Sequence, residues 1–438
     1  MASATFKGGV HFHDFKDLTS EKEVVDLVAP EKVIIPLDQH IGVSSKALVK
    51  PGDRVLVGQK IGEADGQMSV PVHSSVSGEV VEITEITKVD GFRSKAIVIQ
   101  SDGTDELGYE EKVLDYQNMS REEIISYIKE GGIVGLGGAA FPTHIKLNTG
   151  DRKVDTILLN GSECEPFLTS DQKVMELYTK EIVQGVEVML KATNAGKAII
   201  CIEDNKPRAI GKMQEACKSK SNIEVLVTKT KYPQGDERML IETALHKEVP
   251  KGGLPLDIGV VVSNVYTAKA ISDVFYRNRP LYEKIVTVAG SGLNANLPLR
   301  VRIGSPISYL IEHTGGLTND CKKIIMGGPM MGDGQYTLDS PVIKGMSGLL
   351  AFTEEEARIP EESQCINCCK CVDVCPVYLE PNNLSRYIRH NDVDACRDSH
   401  IDACVQCGSC TYVCPAKINL ASDIKVGISE VKRQKARI

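Results

Sequence analysis

The chain predicts an α/β core with an all-β module before it, and a second β-leaning unit and a cysteine-rich module after it. Three observations lead there. Residues 33–99 run as short β-rich segments cut by Gly and Pro; residues 120–279 alternate helical periods with β-branched strands; and ten of the fourteen cysteines fall between Cys365 and Cys414. At ~150 residues per domain the 438 residues would make about three units, so this pattern asks for one more than length alone.

Composition narrows the setting. The other four cysteines (Cys164, Cys201, Cys217, Cys321) are scattered, and the start, MASATFKGGVHFHDF, lacks the apolar stretch of a signal peptide, so a reducing interior is expected instead of a disulfide framework. The longest apolar runs, 198–202 and 258–262, are strand-length, far below the ~20 residues of a membrane span. A net charge of −8 argues against general nucleic-acid binding. Residues 365–438 carry 10 basic against 8 acidic side chains, a slight split that would suit an acidic redox partner.

Taken in order, residues 1–30 read as an N-terminal arm. Within 31–105, V-K-P-G-D-R-V-L-V-G-Q-K-I-G (49–62) and V-P-V-H-S-S-V-S-G-E-V (70–80) resemble the halves of a biotinyl/lipoyl-type barrel-sandwich hybrid. Their connection, residues 63–69, has no Lys to carry a cofactor, so a scaffold is expected, with His73 hydrogen-bonded and not a ligand. Residues 115–280 form the α/β domain. Ser120-Arg-Glu-Glu opens a helix through 130, strands follow at 156–159, 197–202, 223–227 and 258–262, and helices fill 171–193, 206–219 and 236–246. Residues 281–355, with a helix near 306–313, look like a β-grasp unit of the soluble-ligand-binding type. A cysteine module spans 358–424, and 425–438 reads as a basic tail on a frayed helix.

The cysteine module carries the sharpest signal. Cys365-x2-Cys368-x2-Cys371-x3-Cys375-Pro recurs as Cys404-x2-Cys407-x2-Cys410-x3-Cys414-Pro, which is the bacterial ferredoxin spacing twice over. Three thiolates on a tight loop cap one cubane, and the fourth points to the other. The expected sets are therefore Cys365, Cys368, Cys371 and Cys414 for one 4Fe-4S cluster, and Cys404, Cys407, Cys410 and Cys375 for the second, in a ferredoxin-like α-helical domain. Four-thiolate zinc sites are the alternative, but they pair two C-x2-C units and have no use for the third Cys or the Cys-Pro. Cys369 and Cys396 fall outside the pattern and read as free thiols.

Two clusters make an electron wire, and a second motif suggests what feeds it. The loop Gly135-Leu-Gly137-Gly138-Ala-Ala-Phe141-Pro-Thr-His-Ile-Lys146 would let backbone N–H groups approach a phosphate, with Lys146 adding a charge. After the next strand come Asn160, Glu163 and Glu165, at a strand's carboxyl end where α/β sheets bind ligands. The order G-x-G-G-x-x-F-P-T-x-x-K, N-x-x-E-x-E-P, Tyr232-Pro-Gln-Gly235-Asp236-Glu237 and Ser263-Asn264 resembles the flavin- and NADH-binding subunit of respiratory complex I. That resemblance implies a site for non-covalent FMN and NAD(H) made by Gly135, Gly137, Gly138, Phe141, Lys146, Asn160, Glu163, Glu165, Gly235, Asp236, Glu237 and Asn264. The sequence departs from that family at Ser162, Cys164 and Ser263.

The barrel module, the doubled ferredoxin motif and F-K-G-G-V-H at 6–11 are instead similar to the C subunit of Rnf complexes, over essentially the whole length. This resemblance implies a peripheral subunit on the cytoplasmic face of a bacterial cell membrane. It would exchange hydride with NAD(H) at FMN and relay single electrons through two 4Fe-4S clusters, within a ferredoxin:NAD+ oxidoreductase coupled to Na+ or H+ transport. Implied partners are the membrane and other peripheral subunits, and ferredoxin through the complex, with no nucleic acid. Two alternatives stay open: a flavin and iron-sulfur subunit of a soluble hydrogenase or bifurcating complex, and a cluster-carrying adaptor without flavin.

Overall fold

A computed structural model describes residues 4–88 and 91–435. Among them no helix is long and apolar enough to cross a membrane.

The N-terminal module is two facing antiparallel sheets. Lys32–Pro36, Arg93–Ser101, Gly78–Thr87 and Arg54–Val55 pair in that order, while Lys46–Ala47, Lys60–Glu63 and Val72–His73 form the second sheet. Alternating residues Val33, Ile35, Ile97, Ile99, Val55 and Val80 point inward and are essentially unexposed, which is what a half-buried strand requires. The connection 63–69 is held down: Val43 N donates to Met68 O (2.8 Å), and His144 Nε2 lies 3.0 Å from Gln67 O.

The central domain is a four-stranded parallel sheet in the order Ile223–Thr228, Lys197–Glu203, Thr156–Gly161, Val260–Asn264, with helices on its faces. Parallel strands buried on both sides should be apolar throughout, and Ile157-Leu158-Leu159 and Ala198-Ile199-Ile200 are. Arg121–Glu130 starts with a capping box, Glu123 N to Ser120 Oγ (3.2 Å) and Ser120 N to Glu123 Oε2 (2.7 Å). The single helix expected over 171–193 is instead two, Ser170–Leu177 and Thr179–Thr193. Tyr178 breaks them with φ −123°, its ring lying under Lys269 Nζ (4.6 Å from the centroid) and its hydroxyl accepting from Arg300 (2.6 Å).

A six-stranded mixed sheet follows, ordered Val25–Asp26, Leu297–Arg302, Glu283–Ala289, Gly348–Thr353, Cys321–Met326, Asp333–Gln335, with Ile307–His313 packed on it. Its edge strand comes from residues expected to be only an arm. Another part of that arm bridges two domains: Val10 pairs with Tyr232 (2.8 and 3.0 Å), and Gly9 N donates to Val374 O (2.8 Å).

The C-terminal module is an internal duplication with an offset of 39 residues. Each half has a cysteine loop, a short helix (Lys370–Asp373, Ser409–Val413), a Cys-Pro, and a longer helix (Pro381–Arg389, Leu420–Lys435). The residues expected as a separate basic tail from 425 are instead helical to Lys435. Leu420, Ile424, Ile428 and Val431 recur at helical spacing and bury one stripe, so the chain to Lys435 belongs to this module; Arg437 lies outside the described residues.

Candidate nucleotide cleft and thiol clusters

The carboxyl ends of Thr156–Gly161 and Val260–Asn264 open into a cleft of about 530 Å³, inside the ~300–1,000 Å³ range of cofactor sites. Three helices begin at it. Asp236 Oδ1 accepts from Arg238 N (2.9 Å) and Met239 N (3.3 Å), capping Glu237–Leu245. Asn264 Oδ1 accepts from Tyr266 N (2.7 Å), capping Val265–Arg277. Glu163 accepts from Asp171 N (2.7 Å) and Gln172 N (3.0 Å) at the start of Ser170–Leu177. Each start has first-turn N–H groups held by a side chain of the cleft wall, Glu163 and Asp236 with carboxylates and Asn264 with an amide, so the three caps fix the wall.

Nine of the twelve residues expected at a flavin site line this cleft: Gly137, Gly138, Asn160, Glu163, Glu165, Gly235, Asp236, Glu237 and Asn264. Gly137 rests on Asn264, where an added Cβ would come 3.0 Å from Nδ2. The loop is anchored by Leu136 N to Thr267 Oγ1 (3.0 Å), and Asn160 Nδ2 donates to Gly235 O (2.8 Å). Gly135, Phe141 and Lys146 are not in the lining. Gly135 N closes the loop on Phe141 O (2.8 Å), and Lys146 Nζ pairs with Glu237 Oε2 (3.0 Å), one contact back from the cleft.

Sequence reasoning passed over other lining residues. Asp171, Tyr232, Met326 to Gly328, Gly345 to Ser347, Val405 and Cys407 come from three different domains. The signal for one group was the G-P-M-M-G run after Gly327, whose use is steric: a Cβ on Gly328 would sit 2.3 Å from Glu165 Oε2. Glu165 Oε2 also accepts from Met330 N (3.0 Å), while its Oε1 is buried with no partner among the described residues. Burial pushes the Glu165 carboxyl up to about 7. Asp236 is raised by burial too, and the deeply buried Tyr232 phenol is driven far above its usual range, so it remains a donor.

The cysteines fall into two groups in space. Cys365, Cys368, Cys371 and Cys414 line one cavity of about 570 Å³ that opens at the surface. Cys375, Cys404, Cys407 and Cys410 surround a second, tighter one. Backbone N–H groups reach the sulfurs, as in Leu379 N to Cys375 Sγ and Gln406 N to Cys404 Sγ, each 3.3 Å. Among the described residues no three His, Cys, Asp or Glu side chains converge as a single-ion site; each thiol set encloses a space. The donors and their spacing fit cubane clusters. Cys369 also borders the outer cavity, but it stands in the duplication where Gly408 stands, and both have left-handed backbones (φ 59° and 78°). Cys396 is fully buried among Leu384, Ile388 and Ile401. His73 is buried as well, its Nδ1 without a partner among the described residues, and burial pushes it down to about 3, so it is a neutral ring inside the barrel module.

Cys407 belongs to both sites. It lines the nucleotide cleft and the inner thiol cavity, and Tyr232 Oη donates to its carbonyl (2.8 Å). The cleft fits a flavin nucleotide in size, in the glycine loop at its wall and in the orphaned Oε1 of Glu165.

Comparisons agree with this division. Residues 4–104 match the RnfC barrel sandwich hybrid domain, 128–273 the Nuo51 FMN-binding domain, and 361–418 a 4Fe-4S dicluster domain. The chain is 42% identical to the C subunit of the Na(+)-translocating ferredoxin:NAD(+) oxidoreductase complex of Acetobacterium woodii, over 99% of this chain and 98% of that protein. It is 42% identical to the proton-translocating counterpart of Clostridium ljungdahlii, over 87% and 84% of the two chains. Among solved structures it is similar to a chain of an NAD+-reducing NiFe hydrogenase in its H2-reduced state, at TM-score 0.50 and 15% identity, covering 72% of this chain and 62% of that one; this likeness is one of fold.

Proposed function

The chain belongs to the RnfC family, the C subunits of Rnf-type ion-translocating ferredoxin:NAD(+) oxidoreductase complexes, and from that premise we propose how its own residues perform the subunit's part. It is an oxidoreductase subunit with an FMN-binding domain and a two-cluster domain, and it associates with a membrane complex. Bound FMN would supply the exchange between the two-electron chemistry of NAD(H) and one-electron transfer.

Gly137 and Gly138 receive the phosphate, Asn160 and Gly235 shape the opposite wall, and Lys146 acts through Glu237 at the rim. Cys404, Cys407, Cys410 and Cys375 hold the inner cluster, next to the cleft. Cys365, Cys368, Cys371 and Cys414 hold the outer one, where the chain is exposed to a partner. The relay therefore runs cleft, inner set, outer set, partner subunit, with ferredoxin reached through the complex at the cytoplasmic membrane face. The Glu283–Ala289 sheet, read as a β-grasp unit, closes the cleft with Met326 to Gly328.

The observation that carries this reading is the double position of Cys407. Its test is anaerobic protein assayed for NADH:ferricyanide activity with and without added FMN, alongside acid-released flavin and iron content. Bound or FMN-restored flavin, activity that depends on it, and about eight irons per chain are expected for two cubanes. No flavin retention and no FMN-dependent activity would overturn the flavin site, and zinc in place of iron would overturn the wire.

A further inference from the structure

The proposed reaction contains a proton that the wire cannot carry. NADH yields NAD+, two electrons and one proton; clusters accept the electrons singly and leave the proton behind. One proton per NADH must leave the cleft, and in the opposite direction one must arrive.

Asp171 is placed for this. It lines the cleft, is 8% exposed, and lies in the first turn of Ser170–Leu177. Its Oδ2 accepts from Asn264 Nδ2 (2.6 Å), and among the described residues no cation reaches it as an ion pair. The charges that act on it come from three elements: Glu163 from the preceding loop, Lys206 from the start of Pro207–Cys217, and Lys284 from Glu283–Ala289, the strand to which the start of Asp171's helix is tied by Thr169 N to Thr287 Oγ1 (2.9 Å). Lys284 is 1% exposed and donates to Lys344 O (2.7 Å).

We propose that Asp171 is the proton-holding group of the cleft, with the charge of the buried Lys284 tuning it. When a hydride's two electrons depart singly to the clusters, the remaining proton forms an O–H bond on the Asp171 carboxylate. When two electrons return, that O–H bond breaks and the proton rejoins them to make hydride for NAD+. Electrons and protons balance with NAD(H) on one side and a one-electron acceptor on the other.

Both groups sit in surroundings that support the exchange. Burial, and then the charge of Glu163, raise the Asp171 carboxyl, while burial pushes Lys284 down to about 7, with Asp171 the charge that opposes the fall. Glu165 is the rival acid, with Oε2 engaged by Met330 N and Oε1 without a partner among the described residues, and its own variant separates the two carboxyls in the test.

This role rests on the flavin reading of the cleft, so the test first measures flavin per chain. Redox-induced infrared difference spectra of the holoprotein, and protons taken up per flavin reduced, are then followed from pH 5.5 to 8.5. A protonated-carboxyl band should be lost on reduction and return on reoxidation; in the difference spectra that band should be absent from Asp171→Asn with flavin retained, persist in Glu165→Gln, and shift its pH midpoint in Lys284→Met. A band that persists in Asp171→Asn, or vanishes in Glu165→Gln instead, overturns the proposal. Should Asp171→Asn lose flavin, the other arms decide: no band in wild type, or an unmoved midpoint in Lys284→Met, overturns it. Wild type without flavin would instead mean that the reading of the cleft has failed.

Discussion

Glu165 and Lys146 show how differently two residues of one motif order can be used. Glu165 has a raised carboxyl at the wall of the cleft, whereas Lys146 spends its charge on Glu237. An acid raised on folding contributes most below its unfolded value near 4.5, and that stability is lost as pH climbs toward about 7. The melting temperature of flavin-free protein should therefore fall between pH 5 and 7.5, and Glu165→Gln should flatten that fall, by an amount on the order of 1–3 kcal/mol. An equal slope in the variant would assign the pH dependence elsewhere. Lys146→Ala should strand Glu237 at the rim and weaken flavin retention about 10-fold, read by equilibrium dialysis; a charge-assisted contact of ~1.5–3 kcal/mol sets that scale.

Among the elements, the arm and the duplicated cysteine halves make the clearest demands. Gly8, at φ 73°, brings the arm so close to the inner thiol loop that a Cβ would lie 3.0 Å from Cys375 O. Gly8→Val should loosen the tie between the Tyr232 loop and the Val374 to Cys375 segment at a cost of roughly 1–3 kcal/mol. Stopped-flow absorbance should then show flavin reduction by NADH unchanged and cluster reduction slowed; equal rates would leave the arm without a role in coupling. In the cysteine halves, Cys369→Gly matches its counterpart Gly408 and should keep full iron content. Cys368→Ser should lose about half, as a ligand of one cluster of two.

At the scale of the whole molecule, the cleft is a joint property of four segments: the sheet, the 326–347 region, Tyr232 and the inner thiol loop. Removing iron by chelation should loosen the loop that carries Val405 and Cys407 and lower flavin affinity as well, with reconstitution restoring both. Undiminished flavin binding in the iron-free protein would show that the two sites are energetically separate.

Much of this was legible in the linear order because its causes are local. The Cys spacing is confined to a few residues, the Ser120 box is one helical turn, and apolar runs mark buried parallel strands. The break at Tyr178 was not legible, since it answers to Lys269 and Arg300 from distant parts of the chain. Nor was the packed C-terminal helix, where four positive charges masked a stripe of four aliphatics. By itself the sequence determined the kinds of chemistry present: two sets of four thiols and a glycine loop before a strand. Only the tertiary structure decided that Cys407 borders the cleft, that Asp171 is buried at its wall, and that the N-terminal arm ties the domains together. Those relations depend on contacts between segments hundreds of residues apart, which spacing along the chain does not encode.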